Sequence, residues 1–250
     1  MTFNKEKYRA EKQNVVSLIK QTHDWEKTEG FIADGIINPD IYANQKIKIL
    51  ILLAESYGYD GHGIVDIEDQ EEDDILGVGH PNRQTPKKVS TLLWLLFRSI
   101  DTGVEMQWED FPSLLETNDT NYELLQDALS RIAYVNVKKA SKPISNWGNG
   151  ATRLDYSEIY NSCVRNQEIL KIQIDSIRPD LIIACSDAVY NGLYDLDLIG
   201  EDIELNKKYI IQLNEHGQKI IHVSHPSYLE DWGYKGIFET YQIIYRGLSA

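Results

Sequence analysis

With 250 residues, 42% of them apolar and 10% aromatic, the chain has material for one substantial core and lies outside the range of disordered compositions. No apolar run approaches the ~18 residues of a membrane span, the charged start Met1–Lys7 lacks a signal-peptide core, and two cysteines make neither a disulfide framework nor a metal cluster, so a cytoplasmic protein without a membrane partner is expected. The net charge of −14 opposes phosphate contact, but it is unevenly spread: Asp66, Glu68, Asp69, Glu71, Glu72, Asp73 and Asp74 crowd one stretch, whereas Arg83, Lys87, Lys88, Lys138, Lys139 and Lys142 follow expected strand ends.

Lys5 to Gln21 reads as a helix with Val15, Val16, Leu18 and Ile19 on its apolar side. Thr22 to Gln45 is irregular. Its Asp34-Gly35 and Asn38-Pro39 pairs suggest turns, and residues 1–45 are expected to form a helix and a segment wrapping the surface. Ile47 to Ala54 is short, branched and apolar, the pattern of a strand buried on both faces; it runs into Glu55, Ser56 and a glycine-rich turn. Residues 64–80 read as an acidic loop insertion. Its carboxylates fit no calcium-loop spacing, and Asp60, His62 and Asp66, which could offer metal ligands, include a lone histidine, so no metal is expected; the stretch 66–74 offers a solvated surface to a protein partner.

Thr85 and Pro86 supply an N-cap and a first-turn proline for a helix through Ile100, placed centrally by Val89, Leu92, Leu93, Leu95, Leu96 and Phe97. A helix over Asn121–Ser130 leads into a second buried strand, Arg131–Lys138. Ser141–Thr152, around Trp147, is a loop long enough to suggest function. One long helix is expected over Ser157–Ile177, ended by Pro179. Leu181–Cys185 is the third strand, with Ser186 or Asp187 capping the next helix. Tyr209–Leu213 and Lys219–Val223 flank Gly217 as a hairpin, the second strand entering Ser224-His225-Pro226-Ser227, and a last helix spans Lys235–Leu248.

Strands alternating with helices specify βαβ units. The expected fold is a single domain over 1–250, a three-layer α/β/α sandwich with a central, mainly parallel four-stranded sheet. Ligands of such sheets bind at the carboxyl ends of the strands. There the sequence puts Glu55 and Ser56, Asn136, Ser186 and Asp187, and His225. A polar strand end is ordinarily a cap, and Ser186 and Asp187 suit that role. Asn136 is flanked by apolar residues, so it reads as a buried amide in need of partners.

These residues carry a resemblance. Ala54-Glu55-Ser56-Tyr57-Gly58 resembles the first motif of the uracil-DNA glycosylase superfamily, in the branch with Gly-Glu-x-Pro-Gly. Tyr134-Val-Asn136-Val-Lys-Lys139 with Pro143 is similar to the strand whose asparagine reads the base. Ile177-Arg-Pro-Asp-Leu-Ile-Ile-Ala-Cys185 is similar to the third strand, and His225-Pro226-Ser227-Tyr228-Leu229 to the His-Pro-Ser motif. The four occur in order between about Lys46 and Leu229, and the lead-in from Asp34 to Tyr42 resembles that of bacterial members.

The resemblance implies a uracil-DNA glycosylase-like fold and a hydrolase of DNA repair. Such an enzyme works by base excision, cleaving the N-glycosidic bond of an unusual or damaged base. It implies DNA, single-stranded or with a flipped base, as the partner; the branch usually holds an iron–sulfur cluster on four cysteines, and with two cysteines this chain is expected to carry no cofactor. His225 would donate a hydrogen bond to the departing base, Glu55 or Ser56 would position water, and Asn136 would pair bidentately with the base edge. Ser227 would hold a phosphate, Leu229 would fill the gap in the stack, and Lys138, Lys139, Arg83, Lys87 and Lys88 would serve DNA binding.

This chain departs from the motif in having Ala54 for its leading glycine, Ser56 where the most active relatives have Asp or Asn, and Tyr57 for its proline. No aromatic residue lies between Gly61 and Ser90, so Tyr57 or Tyr59 would stack on the base, and the branch's iron–sulfur cysteines are missing. Two alternatives are a non-catalytic nucleotide or single-strand binding or interaction module on the same fold, and a serine hydrolase with Ser56, Asp187 and His225 as its triad. The latter requires a helix directly after Ser56, where the sequence is instead glycine-rich and acidic.

Overall fold

The structure, a computed structural model, describes residues 3–22, 31–57, 64–69, 84–111, 119–142, 155–195, 202–206, 209–213, 217–226 and 233–249. Four apolar strands form its centre: β3 (Ile49–Tyr57), β5 (Ala133–Lys142), β6 (Leu181–Cys185) and β9 (Lys219–Val223), hydrogen-bonded in the order β5-β3-β6-β9 and mutually parallel. Parallel neighbours need crossovers. These are supplied by α3 (Gln84–Thr102) and α4 (Asp119–Ser130), by α5 (Tyr156–Arg165) and α6 (Gln167–Ile177), and by α7 (Asp187–Tyr194).

Because side chains alternate along a strand, each strand is apolar on two faces. Ile49, Ile51, Leu53, Tyr134, Ile183, Cys185, Ile221 and Val223 face α3, α4 and the last helix, α8 (Tyr234–Ser249). Leu50, Leu52, Val135, Val137, Ile182, Ala184 and Ile220 face α5, α6 and α7. The first helix, α1 (Lys5–Thr22), lies over α6, where Val15 and Ile19 meet Phe31 and Ile169. The architecture is α/β in three layers. None of the described helices is long and apolar enough to cross a membrane.

The sheet is wider than four strands; nine belong to it among the described residues. β1 (Phe31–Ala33) and β2 (Gly35–Ile36) run antiparallel to β5, and β4 (Ile64–Asp66) runs parallel to β1. On the far side β8 (Tyr209–Leu213) pairs antiparallel with β9, as expected of the hairpin, and β7 (Asp202–Asn206) with β8. Residues 31–36 thus enter the sheet instead of wrapping it, and the short helix α2 (Pro39–Ala43), capped by Asn38, follows. Edge strands of two or three residues leave no periodic trace in sequence, which is why they escape a reading based on apolar runs. Close approach marks this edge. The Tyr8 hydroxyl accepts the Ile36 N–H at 2.7 Å, and a Cβ at Gly35 would fall 2.4 Å from the same oxygen.

Four boundaries differ from expectation. β3 continues through Glu55 to Tyr57 and β5 through to Lys142, because Glu55 pairs with Lys138 and Tyr57 with Lys142 across a register shift. The helix expected over Ser157–Ile177 is broken at Asn166, whose side-chain Nδ2 donates to the Val137 carbonyl at 2.8 Å. α3 begins at Gln84, so Thr85 lies inside it and is not its cap. Arg178, left-handed at φ 51°, closes α6 ahead of Pro179. Cys163 and Cys185 are free and buried; burial pushes the Cys163 thiol up to about 12 and raises that of Cys185 further still, so both are packing groups.

Candidate functional site

Register decides what the carboxyl edge of the sheet looks like. Asn136 pairs with Leu53, Leu52 with Ala184, and Cys185 with Val223, so Asn136, Leu53, Cys185 and Val223 form one row across four strands. β6 and β9 end on that row, while β3 and β5 run on beyond it. The edge is therefore stepped. Asn136 is not at the end of its strand, as its sequence suggested; it lies level with the ends of β6 and β9. Alternation puts it with Tyr134 on the face covered by α3. On β9 the chain passes Val223, of that same face, to buried His225 and Pro226, whose carbonyl accepts from Lys88 of α3 at 3.0 Å. Asn136 and His225 thus share one side of the sheet. Their strands are separated by β3 and β6, roughly 14 Å at ~4.8 Å per strand.

Asn136 is held by a group the sequence did not mark. Asp34, between β1 and β2, turns its carboxylate inward: Oδ2 accepts the Asn136 backbone N–H at 2.5 Å and its side-chain Nδ2 at 3.3 Å. Oδ1 accepts from Lys139 Nζ and from Gln173 Nε2, each at 2.9 Å, and Lys139 also donates to Gln173 Oε1 at 2.7 Å. Desolvation pulls the Lys139 ammonium below its ordinary range, against the pull of Asp34. A buried charge persists only if paired and hydrogen-bonded, and this network meets that condition. With Nδ2 committed to Asp34, the carboxamide turns Oδ1 away, buried and without a hydrogen-bond partner. Asn136 Oδ1 is thus left as an acceptor, while Nδ2 gives one of its two N–H groups to Asp34.

The start of α3 adds positive charge, and Lys88 brings it to Pro226, next to His225 in the chain. Lys87 and Lys88 are 6% and 4% exposed, and desolvation lowers the pKa of both. Lys88 is tied to Pro226; among the described residues no carboxylate meets Lys87. Two buried ammoniums at a helix N-terminus, where the macrodipole is also positive, add terms of one sign.

The remaining expected residues are distributed differently. Lys139 is enclosed at 0% side-chain exposure and spent on Asp34, so it is not a phosphate contact. Lys138 pairs with Glu158 of α5. Glu55, Ser56 and Tyr57 are strand residues of β3. Tyr59, Arg83, Ser227 and Leu229 lie outside the described residues, as does the acidic stretch from Gln70 onward. Glu68, at the start of that stretch, is committed to Lys12 at 2.8 Å and is not free for a protein partner.

Ser186 caps α7, accepting from the Val189 N–H at 3.3 Å, with its backbone at φ 120°. Asp187 lies 3.0 Å from His222 Nε2, out of line for a hydrogen bond. Ser56 sits within an extended strand and not on a strand-to-helix elbow, and the imidazole beside Asp187 belongs to His222, so the Ser56 triad has no geometric basis. Asp34 and Gln173 complete the buried network of Asn136 and Lys139, and the sequence reading gave neither a place beside Asn136. An Asp-Gly pair reads locally as a turn, and nothing near it in sequence points to β5 or α6. No protein-family model matches the chain, and no curated protein is similar to it.

Proposed function

We propose that the protein is a DNA glycosylase-type hydrolase that takes a base into the recess of the stepped edge, on the α3 side, and cleaves its N-glycosidic bond. The observation that carries this reading is that Asn136 and the end of β9 before His225 lie level in one parallel sheet, two strands apart, with a buried acceptor on Asn136 and Lys88 bonded to the Pro226 carbonyl next to His225.

In this reading Asn136 Oδ1 accepts an N–H of the base. His225 donates to the base oxygen as negative charge develops there, and the positive potential of Lys87, Lys88 and the α3 terminus favours that charge. Glu55 or Ser56 positions the attacking water. The depth of Asn136 suits a base swung out of its stack over a duplex lying along the surface.

The test is incubation of the folded protein with a panel of modified-base oligonucleotides at low salt, followed by alkali cleavage. Abasic product is expected from at least one; His225→Ala should slow it about a hundredfold, the scale of one lost oxyanion donor, and Asn136→Ala, which removes the acceptor for the base, should slow it as well. Binding without product would replace the hydrolase with a nucleotide- or single-strand-binding module. Neither binding nor product would end the reading.

A further inference from the structure

A helix that packs on a sheet ordinarily turns apolar residues toward it, and α5 does so with Ile159 and Cys163. Its next stripe is different. Glu158, Asn161, Ser162 and Arg165 follow the i, i+3, i+4, i+7 spacing of one helix face, and that face looks across a cleft of about 290 Å³ at Lys138 of β5. Asn166, at the break before α6, closes the cleft from the same side, and enclosed Lys139 underlies it. The cleft lies against α5, in the helix layer opposite α3, and its Glu158, Asn161, Ser162 and Arg165 take no part in the base site.

The charges in the cleft do not cancel. Lys139 is matched by Asp34 and Lys138 by Glu158. Arg165 is exposed, and among the described residues no carboxylate pairs with it. Three cations and one carboxylate line the cleft in a chain of net charge −14, where the average surface is acidic. The accessible polar groups are rich in donors: a guanidinium fork, an ammonium and the Asn161 amide. A planar fork with a neighbouring ammonium matches an oxyanion with several acceptor oxygens, and phosphate more than a carboxylate, which would fill the fork and leave Lys138 unused.

We infer that this cleft binds a phosphate group, with Arg165 as its principal contact and Lys138 and Asn161 beside it. The volume accommodates more than the bare ion, so the phosphate belongs either to a free monoester or to the backbone of a strand.

The protein would be titrated at constant ionic strength with inorganic phosphate, with a deoxynucleoside 5′-monophosphate, and with a short single strand lacking terminal phosphates. The Asn161 side-chain amide would be followed by NMR. Saturable shifts are expected, weakened roughly tenfold or more in Arg165→Gln and in Lys138→Gln, and strengthened in Glu158→Gln, which removes the opposing charge. A response to the first two probes alone assigns a free monoester, and a response to the strand assigns its backbone. No saturable shift with any probe, or shifts indifferent to Arg165→Gln, would overturn the inference. Because the readout is the Asn161 amide of α5 and turns on Arg165, neither of which the base site uses, its failure leaves the base-site reading standing, and the reverse holds as well.

Discussion

Asp34 shows how much one residue settles. Its carboxylate takes the ladder donor of Asn136, orients the Asn136 amide and neutralises Lys139, all at 1% side-chain exposure. Removing one member of a buried ion pair leaves the other charge uncompensated, which typically costs about 3–5 kcal/mol, whereas replacing both by apolar groups is often close to neutral. Asp34→Ala should therefore lose about 3–5 kcal/mol of stability, and adding Lys139→Met to it should restore much of the loss. Urea unfolding at neutral pH measures both. A double variant no more stable than Asp34→Ala would mean that the backbone and amide bonds, not the charge pair, make Asp34 necessary.

At the scale of elements, α5 and α7 meet where Gly192 faces Cys163. A Cβ at Gly192 would fall 2.4 Å from the Cys163 Cβ and 2.6 Å from its Sγ. Glycine to alanine inside a helix ordinarily stabilises by ~0.5–1 kcal/mol. Overpacking costs about 1–3 kcal/mol, so the contact should win, and Gly192→Ala should lower the midpoint of thermal unfolding. Cys163→Ala keeps the offending Cβ and should not rescue it, whereas Cys163→Gly should. A Gly192→Ala protein more stable than wild type would show that the two helices can separate at little cost. The break between α5 and α6 belongs to this scale too. The apolar spacing from Ile159 to Ile177 continues across Asn166 as one helix would require, and only the Val137 carbonyl opposite it explains the interruption.

For the whole molecule, the N-terminal 45 residues are part of the fold and not a covering. They supply β1 and β2 to the edge of β5, Asp34 to the buried network, and Val15, Ile19 and Phe31 to an apolar cluster with Ile169. A chain starting at Lys46 would expose that edge and strand Lys139 without its carboxylate, an aggregation-prone combination. It should fail to give a monodisperse, cooperatively unfolding protein by size exclusion and circular dichroism. Cooperative unfolding of the shortened chain, with a denaturant slope reduced only in proportion to its length, would instead show a separable segment.

The sequence by itself determined the four central strands, the long helices and the three layers. The reason is physical: a parallel strand buried on both faces must be apolar throughout, and a helix covering it must be apolar at helical spacing, so both leave a local record. Part of the site was legible in the same way. Asn136 stood out as an amide inside an apolar run, and His225 as a polar group just past one. Lys139 left a signal that could have been used, since it continues the inward series Ala133, Val135, Val137 on β5. Only the tertiary structure decided that β6 and β9 stop a step short of β3 and β5, that Asp34 meets Asn136, Lys139 and Gln173, and that Lys88 reaches Pro226. Those partners lie tens to hundreds of residues apart, and whether a charge is buried and satisfied depends on groups that no local pattern brings together.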